Sequence, residues 1–348
     1  MNPALRILLW RFFPFLALAG LLIGTERFYH RIHSAVIDLG NAPSAWITIP
    51  TGSDYRQVKD SLYSHHFISD EHRFESYVEM GRFANRFKPG RYLLKNRMSA
   101  GELVGMLTRG LQTPVKVTFH DIRTREELAA IVSRQIEADS ISLCKLMSDQ
   151  NYLKKFSATP SSLFNLLIPN TYEMWWTTSA DQFLTRMHRE SQAFWAGMRS
   201  RKADSMGFSR SQVIILASIV EKETSRNEEK AIIAGVYINR LRKGMPLQAD
   251  PTLIFAWKDY SIKRVLNRHK EIRSPYNTYQ NKGLPPGPIC LPSISSIDAV
   301  LHYQRHIYLY FCAKEDFSGY HVFSNNLQEH NRNARKYQAA LKKLKIDN

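Results

Sequence analysis

Beyond residue 50 the apolar positions recur mostly at three- and four-residue intervals, the spacing of helices with one buried face. Tyr55, Val58 and Leu62 set the first such helix. Further helices are predicted over 71–85, Leu103–Leu107 (ending near Gly110), Arg125–Ile136, Ser140–Asp149, Asp181–Met198 and Asn326–Lys345. A few short runs read instead as strands: Trp46–Pro50, the end of Lys88–Leu94, Pro114–Phe119, Tyr308–Phe311 and Tyr320–Phe323. Helices and short strands in this mixture predict an α+β chain.

One stretch departs from the amphipathic rule. Ser209 with Gln212 forms a capping-box pattern, and Phe208 with Val213 is spaced as a hydrophobic staple, so a helix should open here. The run that follows, to Val220, is apolar on almost every side, as expected of a helix buried among other elements. It ends in Glu221, Lys222 and Glu223, with both carboxylates at the end that the helix dipole disfavours. Ser225 with Glu228 predicts a second capped helix reaching about Lys243, with Gly244 just past its end. Its apolar positions are Ile232, Ile233, Val236 and Leu241; Tyr237, Asn239 and Arg240 supply polar groups. Met245–Thr252 should be extended, because Pro251 disfavours helical geometry at Asp250.

Glu221 and Glu223 lie about 200° apart on a helical wheel and so cannot share a face. One and two turns before Glu223 stand Val220, Ile219 and Leu216. The same offsets from Glu221 give Ser218, Ala217 and Ile214, a smaller and wetter set. A carboxyl held against aliphatic groups has its charged form disfavoured and its pKa raised. Glu223 is therefore the better candidate general acid, with Glu221 as a possible second acid. The competing reading makes both of them surface or salt-bridged residues near Lys222 and Arg226.

Composition narrows the field. There are 48 Lys and Arg against 31 Asp and Glu, a net charge of +17, which favours an anionic partner. The basic residues are spread out and no zinc-knuckle or basic-helix pattern occurs, which argues against nucleic acid. Cys144, Cys290 and Cys312 form no CxxC and read as small buried hydrophobes. No metal site is expected, since His302 and His306 have helical ligand spacing but no third ligand. The apolar stretch from Leu5 to about Phe28, broken by Arg11 and Pro14, reads as an uncleaved transmembrane anchor; a cleaved signal peptide is the alternative, without a small-x-small site after it.

Two loops carry further polar and aromatic groups. Leu167–Trp176 suits sugar rings, which offer apolar faces and hydroxyl edges, although Trp175 and Trp176 could equally be core. Gly283–Ile289 is a Pro-rich loop rigid enough for a cleft wall.

Taken in order, five motifs resemble the endolytic murein transglycosylases, the YceG-like family. They are Ala217-Ser-Ile-Val-Glu-Lys-Glu-Thr224, Val236-Tyr-Ile-Asn-Arg-Leu241, Leu247-Gln-Ala-Asp-Pro-Thr252, Tyr276-Asn-Thr-Tyr279 and Gly283-Leu-Pro-Pro-Gly-Pro-Ile289. Tyr308–Phe311 and His321–Asn326 fit as well. The resemblance implies an N-terminal transmembrane helix (1–30), a tether (31–45), a small LysM-like α/β module (46–112), a linking α+β region (113–200) and a larger mixed α+β catalytic domain (201–348). It implies a single-pass protein of the bacterial inner membrane, with its catalytic domain on the outer side. The activity implied is a cofactor-free lytic cut of the MurNAc-β-1,4-GlcNAc bond in nascent peptidoglycan, ending glycan elongation. Peptidoglycan synthases are candidate partners. The family's catalytic glutamate falls in Glu221-Lys-Glu223, and Asn239, Gln248, Asp250, Thr252, Tyr276, Asn277, Tyr279, Pro286 and Gly287 would contact substrate. Two other classes compete: a catalytically silent glycan-binding scaffold of a wall-synthesis complex, and a lyase acting on a small aromatic acid.

Overall fold

The structure, a computed structural model, describes residues 13, 17–26, 29 and 32–346, with side chains described to 343. The expected transmembrane anchor is overturned. Among the described residues no helix is long and apolar enough to cross a membrane. The described helical run of the apolar stretch covers 17–26, which at 1.5 Å per residue is roughly 15 Å, half the hydrocarbon thickness. Residues 1–12, 14–16 and 27–28 of that prediction lie outside the described residues. The membrane-anchored, single-pass and inner-membrane readings, and the membrane as a partner, are withdrawn with it.

The chain divides into two compact units. The first comprises 1–116 with 135–137 and 173–178. Its strands β1 (Ser44–Ile49) and β2 (Gly90–Lys95) pair antiparallel with Ile47 opposite Tyr92. Helices α1 (Tyr55–Ser64), α2 (Glu71–Met80) and α3 (Ala100–Arg109) bury Val58, Leu62, Phe74, Val78, Leu103 and Leu107 on that sheet. Capping boxes at Asp54–Gln57 and Ser99–Glu102 start α1 and α3, and Gly110, in the left-handed region, ends α3. Val36 and Ile37, from the stretch expected to be a tether, belong to this core. Trp176 accepts from the Glu137 amide within the same unit, and Trp175 is half exposed.

The second unit comprises 117–134, 138–172 and 179–348. Strand β3 (Val115–Phe119), which belongs to this unit from residue 117, alternates as predicted and pairs with β4 (Asn170–Met174), which belongs to it up to residue 172 and was expected to be loop. Tyr172 and Met174 are buried on one face of β4, a short alternation hidden by the flanking Pro169 and tryptophans. Helices α4 (Arg125–Ser133), α5 (Ser140–Ser148) and α7 (Ala180–Trp195) fall where predicted, whereas α6 (Gln150–Lys154) and α8 (Met198–Met206) were not predicted.

Helix α9 (Arg210–Glu223) is the centre of this unit, in contact with α8, α10 (Asn227–Arg242), α11 (Asp250–Trp257) and α12 (Ile294–Leu301). The Ser209–Gln212 capping box forms, and every residue from Val213 to Val220 is buried. Ser218 is the polar exception. Its hydroxyl donates to the Ile215 carbonyl and accepts from the Ile289 amide, tying the Pro-rich loop to the helix. The unit ends in the antiparallel hairpin β5 (Tyr310–Ala313) and β6 (His321–Ser324), and in α13 (Leu327–Ile346).

Two local predictions fail for stated reasons. Helix α10 has no Ser225 box; it begins at Asn227 after Arg226, whose amide is taken by the Thr224 hydroxyl. Asp250 is not extended but opens α11, with Pro251 in the first turn. A proline there forfeits only an N–H that would have no helical partner.

Candidate active site

Helix α9 delivers Glu223 to a cavity of about 300 Å³. The Tyr237 hydroxyl, from α10, donates to Glu223 Oε1 at 2.5 Å. Tyr237 stays a donor, since burial and the neighbouring carboxylate raise its pKa well above the ordinary value. Oε1 is thus occupied as an acceptor, and the other oxygen is left to carry a proton. Burial pushes the Glu223 carboxyl up to about 7; the Tyr237 bond and the Arg240 charge oppose the rise, and the Asp250 charge adds to it.

The opposite wall comes from the turn before α11. Gln248 stands in the left-handed region at φ 54°, a strained backbone for a side chain of its size, and its amide donates to the Thr278 carbonyl. Thr278 also donates or accepts at Thr252 (2.8 Å) and receives the Ala249 amide (3.0 Å). These contacts fix Asp250, whose carboxylate accepts from the Tyr279 hydroxyl at 2.5 Å. Arg240, buried, points at carbonyls and not at a carboxylate: Leu309, Leu247 and Pro246, with Gln248 Oε1 at 3.3 Å. It pins three segments of the wall together.

Glu221 lies in different surroundings. Its Oε2 accepts from the hydroxyls of Ser293 and Ser296, from Lys230 at 3.2 Å and from the Ser293 amide. Burial works to raise its pKa, but the two serines and the Lys230 charge outweigh it and hold the carboxyl below its ordinary value. This acid gathers its donors on Oε2 and ties α9 to the start of α12.

Of the residues expected to contact substrate, Gln248, Asp250 and Tyr279 line the cavity with Glu223. The others do not. Asn277 is fully buried and its amide donates to the Lys270 and Ile272 carbonyls. Asn239 donates to the His306 and Tyr308 carbonyls, and Thr252 to that of Ala249. Tyr276 packs at a tilt against Phe255, 4.7 Å between ring centres, and faces a second cavity. Pro286 is exposed, whereas at Gly287 a Cβ would stand 2.2 Å from the Ser161 carbonyl oxygen.

The same cavity is lined by Tyr310 and Phe311, whose segment fits the family resemblance but was given no role in the site, and by Leu327 and His330, not singled out from the sequence. His330 stacks on Tyr310 (5.3 Å between centres), and its Nδ1 is buried without a partner. Burial and the Arg240 charge lower its pKa, so the ring is neutral. No local pattern relates these positions to Glu223; only the fold brings residues some hundred positions apart to one wall. Among the described residues no group of three or more His, Cys, Asp or Glu side chains could hold a metal ion.

The family model described as the YceG-like family matches residues 47–336. An endolytic murein transglycosylase of Bacillus subtilis is 30% identical over 91% of this chain and 91% of its own length. One from Streptococcus pneumoniae is 26% identical over 85% of this chain, which spans 59% of that relative. The crystal structure of a yceG-like protein from Listeria monocytogenes covers 83% of this chain and 98% of its own, at 28% identity and a TM-score of 0.56. This shared descent supports a general lyase or transglycosylase activity. The chain belongs to the YceG-like family, that of the endolytic murein transglycosylases.

Proposed function

We propose that the chain cuts peptidoglycan strands internally at the MurNAc-β-1,4-GlcNAc bond, leaving 1,6-anhydroMurNAc ends, with Glu223 as the one acid and base. The observation that carries this reading is a carboxyl pushed up to about 7 by burial, in a cavity wide enough for sugar rings. A group with such a pKa holds its proton near neutral pH and can also give it up, which a residue that is acid and then base requires.

In the first step Glu223 transfers its proton to the bridging oxygen, and the bond between that oxygen and C1 of MurNAc breaks. The Tyr237 hydroxyl stabilises the carboxylate left behind. Positive charge developing at C1 faces the Asp250 carboxylate across the cavity, a preorganised electrostatic contact. In the second step the Glu223 carboxylate takes the proton of the sugar's own C6 hydroxyl as O6 bonds to C1. The acid is restored and no water is consumed. Ordinary glycosidases need a second carboxyl to activate water or to form a covalent intermediate; here the C6 hydroxyl serves.

The test is digestion of purified sacculi by the wild-type chain and by Glu223→Gln, with mass detection of anhydro ends. The reading predicts such ends from the wild type and their loss in the variant. Equal product from both would overturn the assignment of Glu223. Reducing ends in place of anhydro ends would mean that water, not the C6 hydroxyl, is the acceptor.

A further inference from the structure

A second, larger cavity of about 460 Å³ lies in the same unit as the Glu223 site. Its aromatic and apolar lining comes from Phe164, Phe255, Tyr260, Tyr276, Leu163 and two prolines, and its polar lining includes Arg123, Arg125, Glu126 and Lys258. Arg125 and Glu126 pair with each other at 2.7 Å. That leaves Arg123 and Lys258, whose side chains form no salt bridge among the described residues; the Arg123 main-chain N–H donates to the Glu127 carboxylate at 2.8 Å, and its guanidinium charge also acts on Asp121. Arg123 is held over the Tyr260 ring, 5.2 Å from its centre. Lys258 ends α11 in the left-handed region at φ 54° and is exposed.

Size, apolar lining and a few convergent polar groups are the marks of a ligand site. A neutral sugar gains nothing from two unpaired cations, whereas a carboxylate does. The position relative to the reaction is set by α11. Asp250, at its first residue, faces the Glu223 cavity, and Phe255 and Lys258, at its other end, face the second one. Eight residues separate the two walls by roughly 12 Å along the helix, a reach that a short run of sugar rings with a peptide branch can span.

We propose that this cavity is a second substrate site, one that takes a carboxylate-bearing stem peptide of the strand whose sugar bridge lies at Glu223. The proposal rests on the peptidoglycan reading of the Glu223 site. The aromatic floor of Phe164, Phe255 and Tyr276 receives the aliphatic part of the peptide, and Arg123 and Lys258 receive its carboxylates. Selection by this site favours strands that carry their peptides over bare glycan.

The experiment uses the full chain carrying Glu223→Gln, with affinity as the readout. The probes are peptidoglycan strands with intact stem peptides, the same strands stripped of peptides by an amidase, and strands whose peptide carboxylates have been amidated. Intact strands should bind about tenfold more tightly than either of the others, the worth of one or two solvent-accessible charged contacts. Adding Arg123→Gln and Lys258→Gln should bring that ratio close to one. Lys258→Gln alone, at an exposed position that folding does not depend on, should give an intermediate ratio. Equal affinity for intact and stripped strands, or a ratio undiminished in the variants, overturns the proposal. The acid assignment fails on a different result, anhydro ends made by Glu223→Gln, so the two are separable.

Discussion

Replacing Glu223 with glutamine should stabilise the protein, and the gain should depend on pH in a defined direction. The folded carboxyl sits at about 7 against an ordinary 4.5. Between those values the folded chain binds more protons than the unfolded one, so stability falls as the pH rises. The loss is absent below about pH 4.5 and complete above about pH 7, where it reaches about 3 kcal/mol. Glutamine has no charge to bury, and its carbonyl can still accept from Tyr237. Any packing difference between the two side chains is the same at every pH. The free-energy gap between variant and wild type should therefore widen by about 3 kcal/mol between pH 4 and pH 8, in favour of the variant. Urea unfolding at a series of pH values measures it, since other titrating groups cancel in the difference. A gap independent of pH, or one that narrows as the pH rises, would refute burial as the cause of the raised pKa.

Three further variants test neighbouring parts of the account. Glu221→Gln should behave oppositely: its depressed pKa supports the fold above the ordinary carboxyl range, and loss of its charge strands buried Lys230. A loss of about 3 kcal/mol is expected at neutral pH, shrinking as the pH falls through its depressed pKa; a pH-independent change in the same urea series would contradict this. Tyr237→Phe removes the donor that stabilises the Glu223 carboxylate, so the limb of the pH–rate profile set by that acid should move up by about one pH unit. An unmoved limb would show that Tyr237 does not act on the acid. Gly287→Ala sets a methyl group against the Ser161 carbonyl, and thermal unfolding should register a loss of about 1–3 kcal/mol; unchanged melting would mean that the loop yields freely.

How far the chain could be read in advance depended on whether the signal was local. The Ser209–Gln212 box and the unbroken apolar run after it are local, and α9 starts and packs as they indicate. The residues behind Glu223 (Leu216, Ile219 and Val220) are fully buried as read, but so are Ala217 and Ser218 behind Glu221, so burial of these neighbours does not separate the two acids. Which donors meet each acid was not local. Ser293 and Ser296 reach Glu221 from some seventy residues away, and nothing in their spacing relates them to it. His330 and Tyr310 enter the Glu223 cavity in the same way. Asn239 and Asn277 illustrate the converse. Their polar side chains in recognisable motifs were expected to face substrate, yet both are consumed by main-chain carbonyls that shape the loops around them. Pro251 misled because proline is as compatible with the first turn of a helix as with extended chain. The N-terminal prediction rested on hydropathy alone, and among the described residues no helix is long and apolar enough to span.

The account depends most on Glu223 holding its proton near neutral pH. Carbon-13 NMR of the chain labelled at the glutamate side-chain carboxyls, with Glu223→Gln as the assignment control, follows that group directly. A titration midpoint at about 7 is predicted. A midpoint near the ordinary 4.5, with the carboxyl fully charged at neutral pH, would contradict it.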